Sequence, residues 1–426
     1  MSKEKISHNS KIFYGWYIVA AAFIILFFNS GARFSFGVMF KPMIAEFGWN
    51  RGLISSAFFL NMAVFAISLT VVGRLYDRYG PKWVIIVSSV FLSIGYMSIS
   101  LISSFWQFFI SYGFLSAIGL GGTSVTLMAA ITSKWFYRRR GLAISLALSG
   151  SCLGQFVLVP VFTQLVLRHG WRSSYFSIGL IMLAVNVTLA LSVMKKDPAE
   201  RNNISERHKN LSEAKPQKNL GTPGGDLRDL GLKEAMRTYS FWMFVIVMFI
   251  CGSGDFFIVT HLIPFVTDFG ISATTAGNML AWFGLMSLAG MLLAGPASDL
   301  IGNKMPIAVT FLVRLLLFVL ILKFQSRLAF YIFALAFGST FIVTAPLSTT
   351  LLGRLYGFSH VGLISGFIGT IHHFGGGLWA YFGGLSFDAT GDYRLAFILS
   401  AIMAFIAFLG SILIKEKRHP APLPKK

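Results

Sequence analysis

Twelve apolar runs, each long enough to cross a bilayer as a helix, constrain this chain more than any other feature. A transmembrane helix needs about 20 predominantly apolar residues. The runs fall at approximately 14–40, 52–72, 83–102, 105–131, 141–165 and 173–194 in the first half, and at 239–266, 276–297, 305–322, 328–352, 361–386 and 394–414 in the second. No water satisfies backbone amides inside a bilayer, so such runs fold as helices that bond within themselves. Composition agrees: 12% of the residues are charged, against about 25% in an ordinary soluble domain. The expected fold class is an all-α membrane protein with 12 transmembrane helices.

The formal net charge of +20 does not point to nucleic acid, because the basic residues lie in short hydrophilic stretches between apolar runs. Lysine and arginine favour the cytoplasmic side of a membrane. With the amino terminus inside, 27 basic residues fall in cytoplasmic segments, seven in outer loops, and two, Arg33 and Arg314, within spans. A multi-pass protein of the cell inner (plasma) membrane with both termini cytoplasmic is expected, working as a monomer. The start, with Lys3, Lys5 and Lys11, runs directly into the first apolar segment, which reads as a retained span rather than a cleaved leader. Cys152 and Cys251 both sit inside apolar runs, so no disulfide framework, metal site or cofactor is expected.

Shifting the sequence by 222 residues superimposes its halves without a gap. Gly73, Asp77, Gly80 and Lys82 land on Gly295, Asp299, Gly302 and Lys304; Phe34, Pro42, Phe47 and Gly48 land on Phe256, Pro264, Phe269 and Gly270; Arg172 lands on Arg394. Repeats of this kind mark transporters whose halves rock about a central site. The organisation expected is a six-helix bundle over 1–194, a cytoplasmic linker over 195–238, and a second six-helix bundle with a short tail over 239–426. The linker, rich in Asn, Ser, Lys, Glu, Pro and Gly, has too few large apolar residues to fold by itself.

The segment Gly73-Arg74-Leu75-Tyr76-Asp77-Arg78-Tyr79-Gly80-Pro81-Lys82, between the second and third spans, resembles the signature loop of the major facilitator superfamily, and Gly295 to Lys304 is similar to its degenerate second copy. The resemblance implies two pseudo-symmetric six-helix bundles and alternating access. Physically, charges at such a mouth can form an ion pair in one state and lose it in the other, biasing the equilibrium. Gly73, Arg74, Asp77, Arg78, Gly80, Lys82, Asp299 and Lys304 are therefore the expected gating residues; the alternative is that these charges only set topology. Within the superfamily, Phe13-Tyr14-Gly15-Trp16-Tyr17, Phe36 to Pro42, Glu46-Phe47-Gly48-Trp49, His261-Leu262-Ile263-Pro264, Asp268-Phe269-Gly270 and His372-His373 resemble the monocarboxylate and oxalate/formate porters. The eighth-span arginine common in that branch has no counterpart, since Asn278 to Ala297 carries no charge.

An ionisable side chain deep in a span is a functional candidate by default. Arg33 lies nine residues before Pro42, roughly 13 Å of helix, beside the small or polar Asn29, Ser30 and Gly31. Its planar fork suits a carboxylate through two parallel hydrogen bonds, which makes it the expected substrate anchor. Asp255 is its counterpart under the 222-residue shift. The two are expected to approach each other across the pseudo-twofold axis, as a salt bridge that an anion displaces or as a coupling pair with Asp255 taking a proton. The neighbours His372 and His373 point about 100° apart on a helix; His372 is the favoured one for substrate or proton, with His373 and His261 behind it, and packing histidines the plain alternative. Asn29, Gln155, Asn61 and Trp282 are further cavity candidates, and Arg314 has no evident partner. The many glycines read as close-packing positions, and no nucleotide motif is present, so a gradient is the expected driving force. The leading expectation is a secondary carrier, not an enzyme, that moves a small organic anion, a mono- or dicarboxylate, by proton symport or anion exchange. A proton-coupled exporter of cationic or neutral solutes anchored by Asp255, and a membrane sensor that binds solute without moving it, are the alternatives.

Overall fold

The computed structural model describes residues 13–136, 140–194, 230–357 and 360–415. Among the described residues every regular element is a helix. Nine apolar helices meet the length and hydropathy needed to cross a membrane. Two of these are each two spans joined without a loop: Gly80 (φ 76°, ψ 174°) divides 51–99 and Gly170 (φ 78°, ψ 163°) divides 140–192. With Val361–Thr390, rich in glycine and carrying two histidines, this makes twelve. They are numbered α1 (Gly15–Phe47), α2 (51–79), α3 (81–99), α4 (Phe105–Trp135), α5 (140–169), α6 (171–192), α7 (Tyr239–Asp268), α8 (Ala273–Ile301), α9 (Lys304–Lys323), α10 (Arg327–Tyr356), α11 (Val361–Thr390) and α12 (Arg394–Leu413).

The short connections supply the caps. Asn50, Thr238, Ser272 and Ser326 each accept a hydrogen bond from a first-turn backbone N–H of the helix that follows, and Ser124 does the same where α4 restarts at Val125, satisfying donors that have no partner within the helix. The repeat is visible in backbone geometry: Gly80 and its counterpart Gly302 share φ near 76–79° and ψ near 174–176°, a region open to glycine and strained for other residues. Both copies of the loop thus make the same turn, which is why the spacing from Gly73 to Lys82 recurs at Gly295 to Lys304. Local departures cluster near the centre. α1 is interrupted at Ser35, two residues after Arg33. α4 holds a π-helical stretch over Phe109–Ser116, where Asn61 of α2 donates to the Tyr112 carbonyl (2.6 Å) and to Ser116 Oγ (3.0 Å). Asn61 therefore serves helix packing.

Within the halves, α1 packs on α5 and α7 on α11; between them, α2 packs on α11 and α5 on α8. The α2–α11 seam is antiparallel and closes from one end only. Gly52 meets Leu385 and Asp388, Gly384 meets Arg51 and Ser55, Phe59 stacks on Tyr381, Gly377 meets Met62, and Phe65 meets His373. Continuing that register brings Gly369, Gly366 and Gly362 towards the end of α2 bearing Gly73. A Cβ on any of these four would meet nothing within 4 Å. The α5–α8 seam behaves alike, with Gln164 to Thr274 (3.3 Å), Gly277 against Thr163 and Gly284 against Gln155. The bundles are thus zipped at the end that carries Arg51 and Asp388 and splayed at the end that carries the Gly73–Lys82 loop.

Of the stretch expected to be a linker, residues 195–229 lie outside the described residues. Residues 230–238 are seated on α10: Leu230 N–H donates to the Tyr356 carbonyl (2.9 Å), Ala235 is fully buried, and Thr238 Oγ1 lies 2.9 Å from Tyr356 OH. Leu230, Leu232 and Ala235 supply the apolar contacts that the composition of the preceding residues lacks.

Candidate functional site

Arg33 projects from α1 into the region where the two halves meet. Its guanidinium lies over the rings of Phe65 from α2 (4.8 Å) and Phe256 from α7 (5.3 Å), and its Nη2 is 3.2 Å from Met62 Sδ. Cation–π contacts compensate part of its lost hydration. Its Nε is buried with no hydrogen-bond partner, and no carboxylate contacts it among the described residues. The same rings carry His373 of α11: Phe65 lies edge-on to it at 4.9 Å, and Phe256 lies tilted against it at 5.6 Å. Tyr96 and Tyr112 also stand within electrostatic reach of Arg33.

The expected pairing of Arg33 with Asp255 is not formed. Asp255 belongs to a second cluster enclosed by α7, α9, α10 and α11. Its Oδ1 is 2.6 Å from Arg314 Nη2, with the side chains 2% and 1% exposed, and its Oδ2 is 3.2 Å from His372 Nε2 and accepts from Cys251 Sγ (3.5 Å). Arg314 also donates to Thr340 Oγ1 (3.1 Å), the Thr340 carbonyl (3.0 Å) and the Cys251 carbonyl (3.3 Å). Arg314, which had no evident partner in the sequence, is thus the counter-ion of Asp255. Cys251, Asp255 and His372 bring ligand-type atoms within 4.8 Å of one another, but the Arg314 guanidinium already occupies the cation's place beside the carboxylate. Of the α11 pair, His372 turns to Asp255, and His373 shares the Phe65 and Phe256 rings with Arg33.

The remaining candidates do not join Arg33. Asn29 is buried and accepts from Asn186 of α6 (3.0 Å), a contact inside the first half. Gln155 is buried and donates to the Leu280 carbonyl of α8 (3.1 Å), tying the halves together. Trp282 is 41% exposed and packs edge-on against Phe156 across the α5–α8 seam. At the splayed end, Arg78 and Lys82 lie over their neighbours Tyr79 and Trp83, and Lys304 Nζ reaches the carbonyls of Ile412 and Ile414 at the end of α12. Arg74, Asp77 and Asp299 make no ion pair among the described residues. Gly73 stands in open space and Gly80 forms the turn.

The zipped end holds a constellation of which the sequence reading counted Lys41 and Arg51 only as outer-loop charges. Arg51, at the start of α2, is 8% exposed and grips Asp268 of α7 with both terminal nitrogens (2.8 Å each). Its guanidinium lies 3.5 Å over the Phe387 ring and donates to Tyr393 OH (2.9 Å). Lys41 adds a second cation to Asp268 (2.6 Å). The Asp388 carboxylate accepts the backbone N–H groups of Arg51 (2.9 Å) and Gly52 (2.6 Å), where the helix dipole favours an anion. From Arg51 a directed chain runs inward. Tyr393 OH, already accepting from Arg51, donates to His261 Nδ1 (2.9 Å), whose Nε2–H donates to the Ala380 carbonyl (2.8 Å). The signal that could have found this constellation was the repeat itself. Asp268 is the 222-residue counterpart of Glu46, which holds Arg172 (2.7 Å) and Trp171 (2.6 Å) within the first half; only the copy on α7 reaches across.

The sequence profile described as Major Facilitator Superfamily matches residues 22–272 and 245–426. The chain belongs to the major facilitator superfamily. It is 27% identical over 420 residues to the uncharacterized MFS-type transporter YcxA of Bacillus subtilis (strain 168), covering 95% of this chain and 98% of that one. It is 24% identical to Monocarboxylate transporter 13 of Bos taurus (94% and 89% covered) and 22% identical to the Oxalate:formate antiporter of Oxalobacter formigenes (95% and 93%). Among solved structures, the bacterial homolog of the human lysosomal transporter Spinster, inward-facing and unoccupied, superimposes with a TM-score of 0.74 at 17% identity, covering 95% of this chain and 98% of that one. This major facilitator carries, among the described residues, a guanidinium without an acid where the halves meet and a compensated acid in a separate cluster of the second half.

Proposed function

We propose that this major facilitator is a secondary active carrier of a small organic anion, a mono- or dicarboxylate, held by Arg33 and moved by proton symport or anion exchange. The carrying observation is that, of the two basic side chains deep within spans, Arg33 has aromatic and sulfur neighbours but no carboxylate among the described residues, whereas Arg314 has Asp255. A guanidinium in an apolar setting is costly until it gains a counter-ion, and a carboxylate substrate supplies one with bidentate geometry. The monocarboxylate and oxalate:formate names among the relatives favour the same chemistry. The bias of basic residues in the loops favours a plasma-membrane protein with both termini in the cytoplasm. The splayed end then faces inward and the Arg51–Asp268 constellation is the closed outer gate. The charges of the Gly73–Lys82 loop, which form no ion pair at the splayed end among the described residues, are proposed to engage when that end closes. An exporter of cations anchored on Asp255 is disfavoured, because Arg314 and His372 already occupy that carboxylate.

The test is reconstitution in liposomes with a panel of labelled carboxylates, measuring uptake and counterflow with and without a pH gradient. Arg33→Ala removes a charge-assisted contact worth about 1.5–3 kcal/mol, so apparent affinity should fall roughly 10- to 150-fold. Folding should survive, since Arg33 makes no ion pair. Undiminished counterflow in Arg33→Ala would refute the anchor.

A further inference from the structure

We propose that His373, rather than the adjacent His372, takes up the proton that accompanies a bound anion, and does so at Nε2. The inference rests on the reading of Arg33 as the anion anchor and extends it to how movement of that anion is driven. His372 is committed: its Nε2 lies 3.2 Å from Asp255 Oδ2, inside the cluster that Arg314 also closes. His373 is differently placed. Its Nδ1 is 2.7 Å from the Gly369 carbonyl, and a carbonyl only accepts, so Nδ1 carries the hydrogen. In the neutral ring Nε2 therefore bears the lone pair, and among the described residues that nitrogen has no hydrogen-bond partner.

The surroundings couple this lone pair to the anion site. Phe65 and Phe256 each lie against both Arg33 and His373. The ionisable groups around His373 are Arg33 from α1, His372 on α11 itself, and Asp255 from α7, which is already matched by Arg314. α2 contributes the uncharged Met62 and Phe65, and Tyr96 and Tyr112 of α3 and α4 lie around Arg33. In the empty carrier, an imidazolium at 373 would face the Arg33 cation with no carboxylate to offset it. A carboxylate docked on Arg33 cancels that charge and supplies the missing counter-ion. A proton from the solution on the open side then bonds to Nε2 as the anion binds, and leaves when the anion leaves. Anion and proton thus load together, which favours symport over exchange.

The experiment uses the full-length protein with sodium pyruvate, L-lactate and oxalate as probes. Calorimetric titration in two buffers of different ionisation enthalpy counts protons taken up per anion bound. In wild type, uptake approaching one proton per anion is expected near neutrality, falling off in alkaline solution where the anion-bound imidazole no longer holds its proton. His373→Gln should still bind, within about fivefold, yet take up almost none. In liposomes it should keep counterflow, which needs no net proton movement, and lose accumulation driven by a pH gradient. His373→Asn, read the same way, replaces it if the glutamine variant does not fold. His372→Gln should keep the proton uptake. Proton uptake and pH-driven accumulation persisting in His373→Gln overturn the proposal, as does their loss in His372→Gln alone. Anion binding by wild type without proton uptake overturns it too, leaving Arg33 as anchor. Failure of all three probes to bind wild type overturns the anchor reading together with this one.

Discussion

Asp255→Asn is the sharpest perturbation available, because it leaves the Arg314 guanidinium buried at 1% exposure without its counter-ion. With both side chains at 2% exposure or less, solvent screening does not reduce the effect. Removing one partner of a buried pair typically costs about 3–5 kcal/mol. The hydrogen bonds from Arg314 to Thr340 and to the Cys251 carbonyl remain and hold the orphaned cation in place, so the loss should fall near the lower end. Arg314→Gln strands Asp255 instead, but His372 and Cys251 still contact that carboxylate, so the loss should be smaller. The double variant carries no uncompensated charge, and its cost should fall below the sum of the singles by about 2–3 kcal/mol. Equilibrium unfolding in mixed micelles, or steric trapping in bicelles, provides the four free energies of the cycle. Additivity within about 0.5 kcal/mol would refute the pairing as the reason these charges lie inside the second half.

Two further outcomes test the gate and the packing. Asp268→Asn weakens a partly screened clamp on Arg51 and Lys41, worth about 1–2 kcal/mol after allowance for exposure. Populations should therefore shift roughly 5- to 30-fold towards opening of that end, read as longer distances between spin labels at positions 164 and 274; an unchanged distance distribution counts against the gate. Gly252→Ala drives a Cβ into the His372 backbone carbonyl, and rigid backbone cannot yield, so the folded yield should collapse; Gly369→Ala, in open space, serves as the tolerated control, and equal yields would sink the packing argument.

The spans, their caps and the repeat could be read from the chain because each rests on local physics. Apolar length selects a helix in lipid, Asn, Ser and Thr cap it, and a glycine with positive φ at Gly80 and again at Gly302 makes the same turn twice. The positions of Arg33 and Asp255 within spans were legible for the same reason. Their partners were not. α7 is apolar nearly all round, and 83% of its most apolar stretch is buried, so no periodic stripe reveals which way Asp255 turns. The shift of 222 residues pointed to Arg33, but symmetry relates positions and does not specify contacts; Arg314 on α9 sat closer. The same limit hid Arg51, whose place beside a loop suggested a topology charge.

Sequence alone determined that this is a twelve-helix membrane bundle of two related halves, with a few costly charges at known depths, because crossing a bilayer imposes its demands residue by residue. Tertiary structure alone decided which charge is compensated and which has no acid beside it among the described residues. Pairing depends on helix rotation and on which end of the bundle is closed, and both come from contacts between helices far apart in the chain.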